Sequence, residues 1–324
     1  MKTIQATVVK HTGSHYLLAP LPRWELFPAV IRGKVRLEKS SATNPVAVGD
    51  RVECVVPDGM MASDFHLNAE GRADTAAVIT RVLPRDNYVI RKSTNLSRQA
   101  HIIAANVRRA FIVVTLAFPE VKLPFLDRIL VTCGVYGIPA VIVLNKVDLL
   151  DDFHAGMKED FIRTYTDAGY EVMQVSARTG FGIDSLRSAL SDGVNLLSGV
   201  SGVGKSSLIK ALDPNLKPRV AEISLSHLQG RHTTTSYEMY PLCSGGYIID
   251  TPGIRSFGLL ELEKEEIYKY FPEMLRVSED CRFTPCTHTH EPGCAVKQAV
   301  DSGEISAERY NSYLGMLEES SKYR

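Results

Sequence analysis

No stretch of this chain approaches the ~18 consecutive apolar residues that a membrane-crossing helix requires, so a bundle of transmembrane helices is not expected. Low-complexity tracts are also missing, and with 44% hydrophobic and 23% charged residues the composition is not that of a disordered chain. Charge of one sign is not in excess: 37 Lys and Arg stand against 37 Asp and Glu, which argues against whole-molecule attraction to nucleic acid. The N-terminal run Met1-Lys2-Thr3-Ile4-Gln5 lacks the apolar stretch of an export signal, and the expected location is the cytoplasm. Cysteine is scarce, with six residues in 324. Cys54, Cys133 and Cys243 lie singly in apolar stretches and read as core residues, whereas Cys281, Cys286 and Cys294 are clustered.

What is present is unevenly distributed. The length predicts two or three compact units. Lys and Arg against Asp and Glu number 10 to 8 in residues 1–83, 6 to 1 in 84–109, and 8 to 13 in 259–324. Residues 1–83 hold five runs with period-two alternation: Ile4–Lys10, Tyr16–Ala19, Ile31–Leu37, Arg51–Val56 and Ala76–Leu83. Five short strands predict a small barrel, with residues 57–75 as a long loop. Alternation would put Arg32, Lys34 and Arg36 on one face, which fits an OB-fold that binds RNA and equally fits a solvated strand face. Residues 84–109 read as a basic connecting segment.

From residue 110 strands alternate with helix-length segments, the pattern of an α/β domain with a mostly parallel sheet running to residue 258. Strands are predicted at Phe111–Leu116, Ala140–Leu144, Glu171–Val175, Val194–Ser198 and Tyr247–Asp250. Helices are predicted near Asp127–Tyr136, Phe153–Gly169, Asp184–Ser191 and Lys205–Leu212. Residues 259–324 are acidic and helical, with a last helix at Ser306–Glu319, and read as a third, small domain.

Gly199-Val200-Ser201-Gly202-Val203-Gly204-Lys205-Ser206 is a full G-x-x-x-x-G-K-[ST] motif between a predicted strand and a predicted helix that opens Ser206-Ser207. Its glycines let backbone N–H groups turn inward around phosphates, Lys205 reaches the β- and γ-phosphates, and the Ser206 hydroxyl suits Mg²⁺. Asn145-Lys146-Val147-Asp148 indicates the base. A carboxylate at Asp148 accepts from N1–H and the exocyclic amine of guanine, and adenine has no matching donor pair. Asn145 would hold the base edge and the loop, the Lys146 stem would cover the ring, and Ser176-Ala177 would offer a backbone N–H to the guanine oxygen. Asp250-Thr251-Pro252-Gly253 supplies an acid for the Mg²⁺ shell and a glycine N–H for the γ-phosphate. Thr233-Thr234-Thr235 supplies a hydroxyl for Mg²⁺, with Thr234 and Thr235 the candidates.

These motifs occur out of the usual GTPase order, since the N-K-x-D and S-A motifs precede the phosphate loop while the cyclic order is kept. The chain therefore reads as a circularly permuted GTPase, hydrolysing GTP to GDP and phosphate. Ile254 follows the D-T-P-G motif where familiar GTPases carry a water-orienting glutamine. Turnover should then be slow unless another group acts. His232 is the candidate in this chain, and it reads equally as a surface histidine. Cys281-x4-Cys286-x-His288-x5-Cys294 offers three thiolates and an imidazole, the donor set of a closed, structural zinc site, with His290 spaced to substitute for His288.

Taken together, these residues resemble the ribosome small-subunit-dependent GTPase A family, the YjeQ or YloQ GTPases. The match runs over nearly the whole chain: Arg32-Gly33-Lys34, Asn145–Asp148, Gly199–Ser207, Gly230-Arg231-His232-Thr233-Thr234-Thr235, Asp250–Gly253 and the Cys/His cluster. The resemblance implies an OB-fold, a permuted GTPase domain and a zinc domain that hold the small ribosomal subunit and its rRNA. It also implies a late maturation role, with subunit-stimulated hydrolysis coupled to release, and a monomer is expected. A different class of protein, an RNA-binding module in which GTP only selects a conformation, is the competing expectation.

Overall fold

A computed structural model of the chain describes residues 2–12, 15–36, 45–56, 76–92, 100–216, 237–250 and 262–322. Their contacts group into two compact units. One comprises Met1–Arg109, Arg187–Ser198 and Ile209–Ser256, and the other Ala110–Leu186, Gly199–Leu208 and Phe257–Arg324.

The first unit opens with a closed five-stranded barrel: β1 (Lys2–Thr12), β2 (His15–Ala19), β3 (Phe27–Arg36), β4 (Arg51–Val56) and β5 (Ala77–Val82). β1 pairs with β2, β2 with β3, β3 with β5 in parallel, β5 with β4, and β4 back with β1, the closed five-strand arrangement of an OB-fold. Alternation drives this closure. In β4, Val52, Cys54 and Val56 point inward and meet Val8, Leu18, Phe27 and Ile79 in one core. β3 departs from strict alternation, because Ile31 pairs with Ile79 but Arg36 pairs with Arg81, five residues on β3 against two on β5. The period-two argument for Arg32, Lys34 and Arg36 is interrupted at that irregularity, and their side chains lie outside the described residues.

The residues of the expected connector carry a hairpin, β6 (Tyr88–Lys92) and β7 (Ala100–Ala105), with Val89, Ile90, Ile102 and Ile103 buried. Two of its basic residues serve the fold. Arg85 grips buried Asp50 through two nitrogens at 2.6 and 2.7 Å, and Arg108 pairs with Asp192.

In the same unit β11 (Val194–Ser198) lies parallel to β13 (Tyr247–Asp250), and β12 (Glu238–Pro241) lies antiparallel to β13. The barrel joins this sheet. β1 meets β12 at Lys10 and Glu238, whose side chains pair at 3.0 Å, and Trp24 stacks on Tyr247 with ring centroids 5.6 Å apart. Cys243, expected in a core, is exposed. Its apolar neighbours end at the β12–β13 turn, where Gly245 and Gly246 take φ of +91° and +69° and carry the chain around.

The second unit holds three parallel strands, with β9 (Ala140–Leu144) between β8 (Arg109–Val114) and β10 (Glu171–Gln174). Buried on both faces, β8 and β9 read as unbroken apolar runs. Helices α1 (Leu123–Val135) and α2 (Ala155–Asp167) follow β8 and β9, α3 (Ile183–Ala189) follows β10, and α4 (Lys205–Leu212) follows the phosphate-loop motif. α1 begins ahead of its expected start, with Pro124 in its first turn, where a missing N–H costs nothing.

After residue 262 come a 3-10 helix (Lys264–Tyr270), α5 (Pro272–Ser278), α6 (Ala295–Asp301) and α7 (Ala307–Lys322). Their core of Ile267, Phe271, Met274, Val296 and Tyr313 takes in Val131 from α1. Arg309 on α7 is buried beside it, bonded to Glu273 at 2.7 and 3.1 Å and to Asp127 of α1 at 2.6 Å. The rings of Phe271, Tyr165 and Tyr170 surround its guanidinium at 4.7, 5.4 and 5.5 Å.

Candidate nucleotide site and metal centre

Three loops at the carboxyl ends of the parallel strands converge on one side chain. Asn145, buried just after β9, donates from Nδ2 to Val203 O of the phosphate loop at 2.8 Å, and its Oδ1 accepts from Ala177 N at 3.3 Å. The approach is close enough to dictate sequence. A Cβ on Gly204 would lie 2.5 Å from Asn145 Nδ2, and one on Gly199 would lie 2.4 Å from Val113 O. Lys146, with φ of +62°, sends its ammonium to Gly202 O at 2.8 Å and to Phe118 O. Lys205, buried at the start of α4, folds back on Gly199 O and Val200 O at 2.7 and 2.9 Å. These are charge-assisted bonds within the loop, and phosphate oxygens are stronger acceptors for the same ammonium.

Asp148 accepts from Ser176 Oγ at 2.5 Å and pairs with Arg178 Nε at 2.7 Å. The Ser176 hydroxyl, with the Arg178 guanidinium beside it, holds the Asp148 carboxyl below the usual carboxylate range, so it is an acceptor at any physiological pH. The Ser176 N–H is bonded to Phe181 O at 2.9 Å, which leaves Ala177 as the residue of that pair whose N–H has only a long bond to give up. In the other unit Asp250 ends β13, opposite Leu197 in register. Thr233, Thr234, Thr235, His232, Gly253 and Ile254 lie outside the described residues.

The Cys/His cluster is a second assembled site. Cys281 Sγ and Cys294 Sγ are 3.9 Å apart, and each lies 3.5 Å from His288 Nδ1. With Cys286, all four ligand atoms fall within 4.8 Å of one another. A tetrahedral ion bound at ~2.3 Å by sulfur and ~2.05 Å by nitrogen sets S···S edges of about 3.8 Å and S···N edges of about 3.6 Å. The four residues can hold a metal ion. Burial raises the Cys294 thiol and pushes Cys286 up to about 12, and it lowers His288, so without a metal these groups are neutral. His288 is selected over His290 by its backbone. With φ of +56° it turns inward to full burial, while His290 is exposed against Thr289. Glu291 fixes that turn by accepting from Thr287 N, Thr287 Oγ1 and Thr289 N at 2.8, 2.6 and 3.1 Å. From α7, the Tyr310 and Tyr313 hydroxyls donate to His288 O and Thr287 O.

A family model described as RsgA GTPase matches residues 82–260. The Small ribosomal subunit biogenesis GTPase RsgA of Bacteroides fragilis (strain YCH46) is 46% identical over 323 residues, 99% of both chains. This chain belongs to the RsgA GTPase family. Its chemistry is therefore GTP hydrolysis, and the family resemblance read from the sequence stands. The crystal structure of YjeQ from Thermotoga maritima covers 100% of both chains at 30% identity and a TM-score of 0.77. YloQ, described as a circularly permuted GTPase, covers all of this chain and 96% of its own at 26% identity and a TM-score of 0.74. The motif order of this RsgA GTPase accords with that description.

Sequence reasoning about this RsgA GTPase missed Arg178, Phe118 and Glu291. The Phe118 carbonyl had no side-chain signal. Arg178 stands two residues from Ser176, and its basic charge beside the carboxylate of the N-K-x-D motif is the available clue. Among the described residues no helix is long and apolar enough to cross a membrane.

Proposed function

We propose that this chain is a GTPase of small-ribosomal-subunit assembly, binding the subunit late in its maturation, hydrolysing GTP under its stimulation and leaving afterwards. The observation that carries the reading is end-to-end similarity, over 99% of both chains, to a relative named for small-subunit biogenesis. In this reading Gly199–Ser207 wraps the phosphates, with Lys205 turning from its own carbonyls to the β- and γ-phosphates. Asp148 accepts from the guanine edge, Lys146 covers the ring, Asn145 braces the three loops and the Ala177 N–H takes the guanine oxygen. Mg²⁺ would draw on the Ser206 hydroxyl, Asp250 and a threonine, Thr234 or Thr235, with the Gly253 N–H on the γ-phosphate and His232 assigned to act on water. The closed set Cys281, Cys286, His288 and Cys294 is assigned to one structural Zn²⁺, because three sulfurs and an imidazole within 4.8 Å of one another would fill all four positions of a tetrahedral ion. Arg32, Lys34 and Arg36 on β3 are assigned to rRNA. The protein acts as a cytoplasmic monomer.

The test is GTP turnover of the purified chain alone and with purified small subunits, large subunits or unrelated RNA. Small subunits should accelerate turnover selectively. Equal, slow turnover in every mixture would replace this reading with that of an RNA-binding module that uses GTP as a ligand.

A further inference from the structure

The carboxylate of Asp148 has four lone-pair directions, two on each oxygen. Ser176 Oγ occupies one on Oδ1 at 2.5 Å, and Arg178 Nε forms an ion pair with Oδ2 at 2.7 Å without filling an aligned hydrogen-bond direction there. Hydrogen-bonding capacity then remains on each oxygen, and on the buried Oδ2 none of it is used, as two adjacent N–H donors on a guanine edge require. A carboxylate held by one oxygen can still swing about its Cβ–Cγ bond. Held by both, it cannot.

The loop is built to return Arg178 to this place. Thr179 N bonds Ser176 Oγ at 3.1 Å and Gly180 N bonds Ser176 O at 2.9 Å, closing a tight turn through Gly180, whose φ is +84°. Arg178 stands within that turn, 71% exposed, with its guanidinium turned back to Asp148. An ion pair this exposed contributes little to folding, so the contact has small value as a structural brace. Its value lies in what it does to the acceptor.

We propose that Arg178 is a positioning residue for base selection, clamping one oxygen of Asp148 while Ser176 clamps the other, so that the carboxylate meets guanine already oriented. This rests on the reading of Asp148 as the guanine acceptor. Arginine suits the task because its planar guanidinium has a fixed donor geometry and stays charged at any working pH.

The test measures binding of GDP, inosine diphosphate and ADP to the full chain carrying Arg178→Ala, Arg178→Gln or Asp148→Ala. Arg178→Ala should weaken GDP binding about two- to five-fold, the range of an exposed ion pair, with an unchanged melting temperature. The preference for GDP over inosine diphosphate, which lacks the exocyclic amine, should narrow. The defect should shrink at high salt, where the wild-type ion pair is screened, and Arg178→Gln, which keeps a donor, should recover part of it. Unchanged GDP binding, tighter GDP binding, or an equal loss for GDP and inosine diphosphate would overturn the proposal. Asp148→Ala separates the two layers. If it keeps its preference for GDP, the guanine-acceptor reading falls, and if it loses that preference while Arg178→Ala binds normally, only the clamp falls.

Discussion

At the scale of single residues, the nucleotide loops are held by contacts too close for any alternative side chain. Gly204 is one such case, since it has φ of +96° and any added Cβ would lie 2.5 Å from the nitrogen of Asn145. Gly204→Ala must therefore strain the backbone and push Asn145 off Val203 O, lowering stability by about 1–3 kcal/mol. Melting and a GDP titration check this together, and a variant with wild-type values in both would show that the loop relaxes freely. The motif residues were legible in the sequence because phosphate and guanine chemistry fixes residue types at fixed spacing. The bonds joining them were not. Asn145 to Val203 spans 58 positions and Lys146 to Phe118 spans 28, and no local periodicity encodes such pairings.

At the scale of elements, a metal held by the loop between α5 and α6 would set that loop's response to pH. Burial raises the Cys286 thiol to about 12 and raises Cys294 as well, so both carry protons through neutral pH until a metal displaces them. Metal uptake should release at least these two protons, and affinity should rise with pH across the neutral range. Calorimetry in buffers of different ionisation enthalpy measures the release, and heats independent of the buffer would contradict it. The metal-free fold responds in the opposite sense. A thiol whose folded value is raised stabilises the fold below its unfolded value of ~8.5, and that contribution is lost as pH rises toward the folded value. Metal removal should therefore turn an acid-sensitive segment into an alkali-sensitive one. The cluster of four residues able to hold a metal was legible from donor type and spacing. The choice of His288 over His290 was not, because it depends on a positive φ secured by Glu291 and on two tyrosines from α7, 22 and 26 positions away. The hairpin at residues 88–105 was also missed, since its strands are five and six residues long and lie in a segment whose net charge dominated its reading.

At the scale of the whole molecule, the barrel and the alternating strands were legible from period-two and apolar-run patterns. How the last helices attach was not, because the attachment is a buried charge. Arg309 ties α7 to α5 through Glu273 and to α1 through Asp127, inside three aromatic rings. Arg309→Ala leaves two carboxylates buried without their cation and should cost about 3–5 kcal/mol. Hydrogen exchange should show α1 and α7 losing protection together, and loss confined to α7 would mean that Asp127 finds another partner. The pairing of Lys10 with Glu238 has a different bearing, on how the protein can be taken apart. β12 is the outermost rung of its own small sheet, and the barrel strand is what sits beside it. Genetic removal of the barrel would strip a neighbour from that rim and uncover Tyr247, leaving unsatisfied backbone groups next to bare aromatic surface, the conditions under which sheets recruit other chains. The N-terminal module thus covers its neighbour's rim in addition to any ligand it binds.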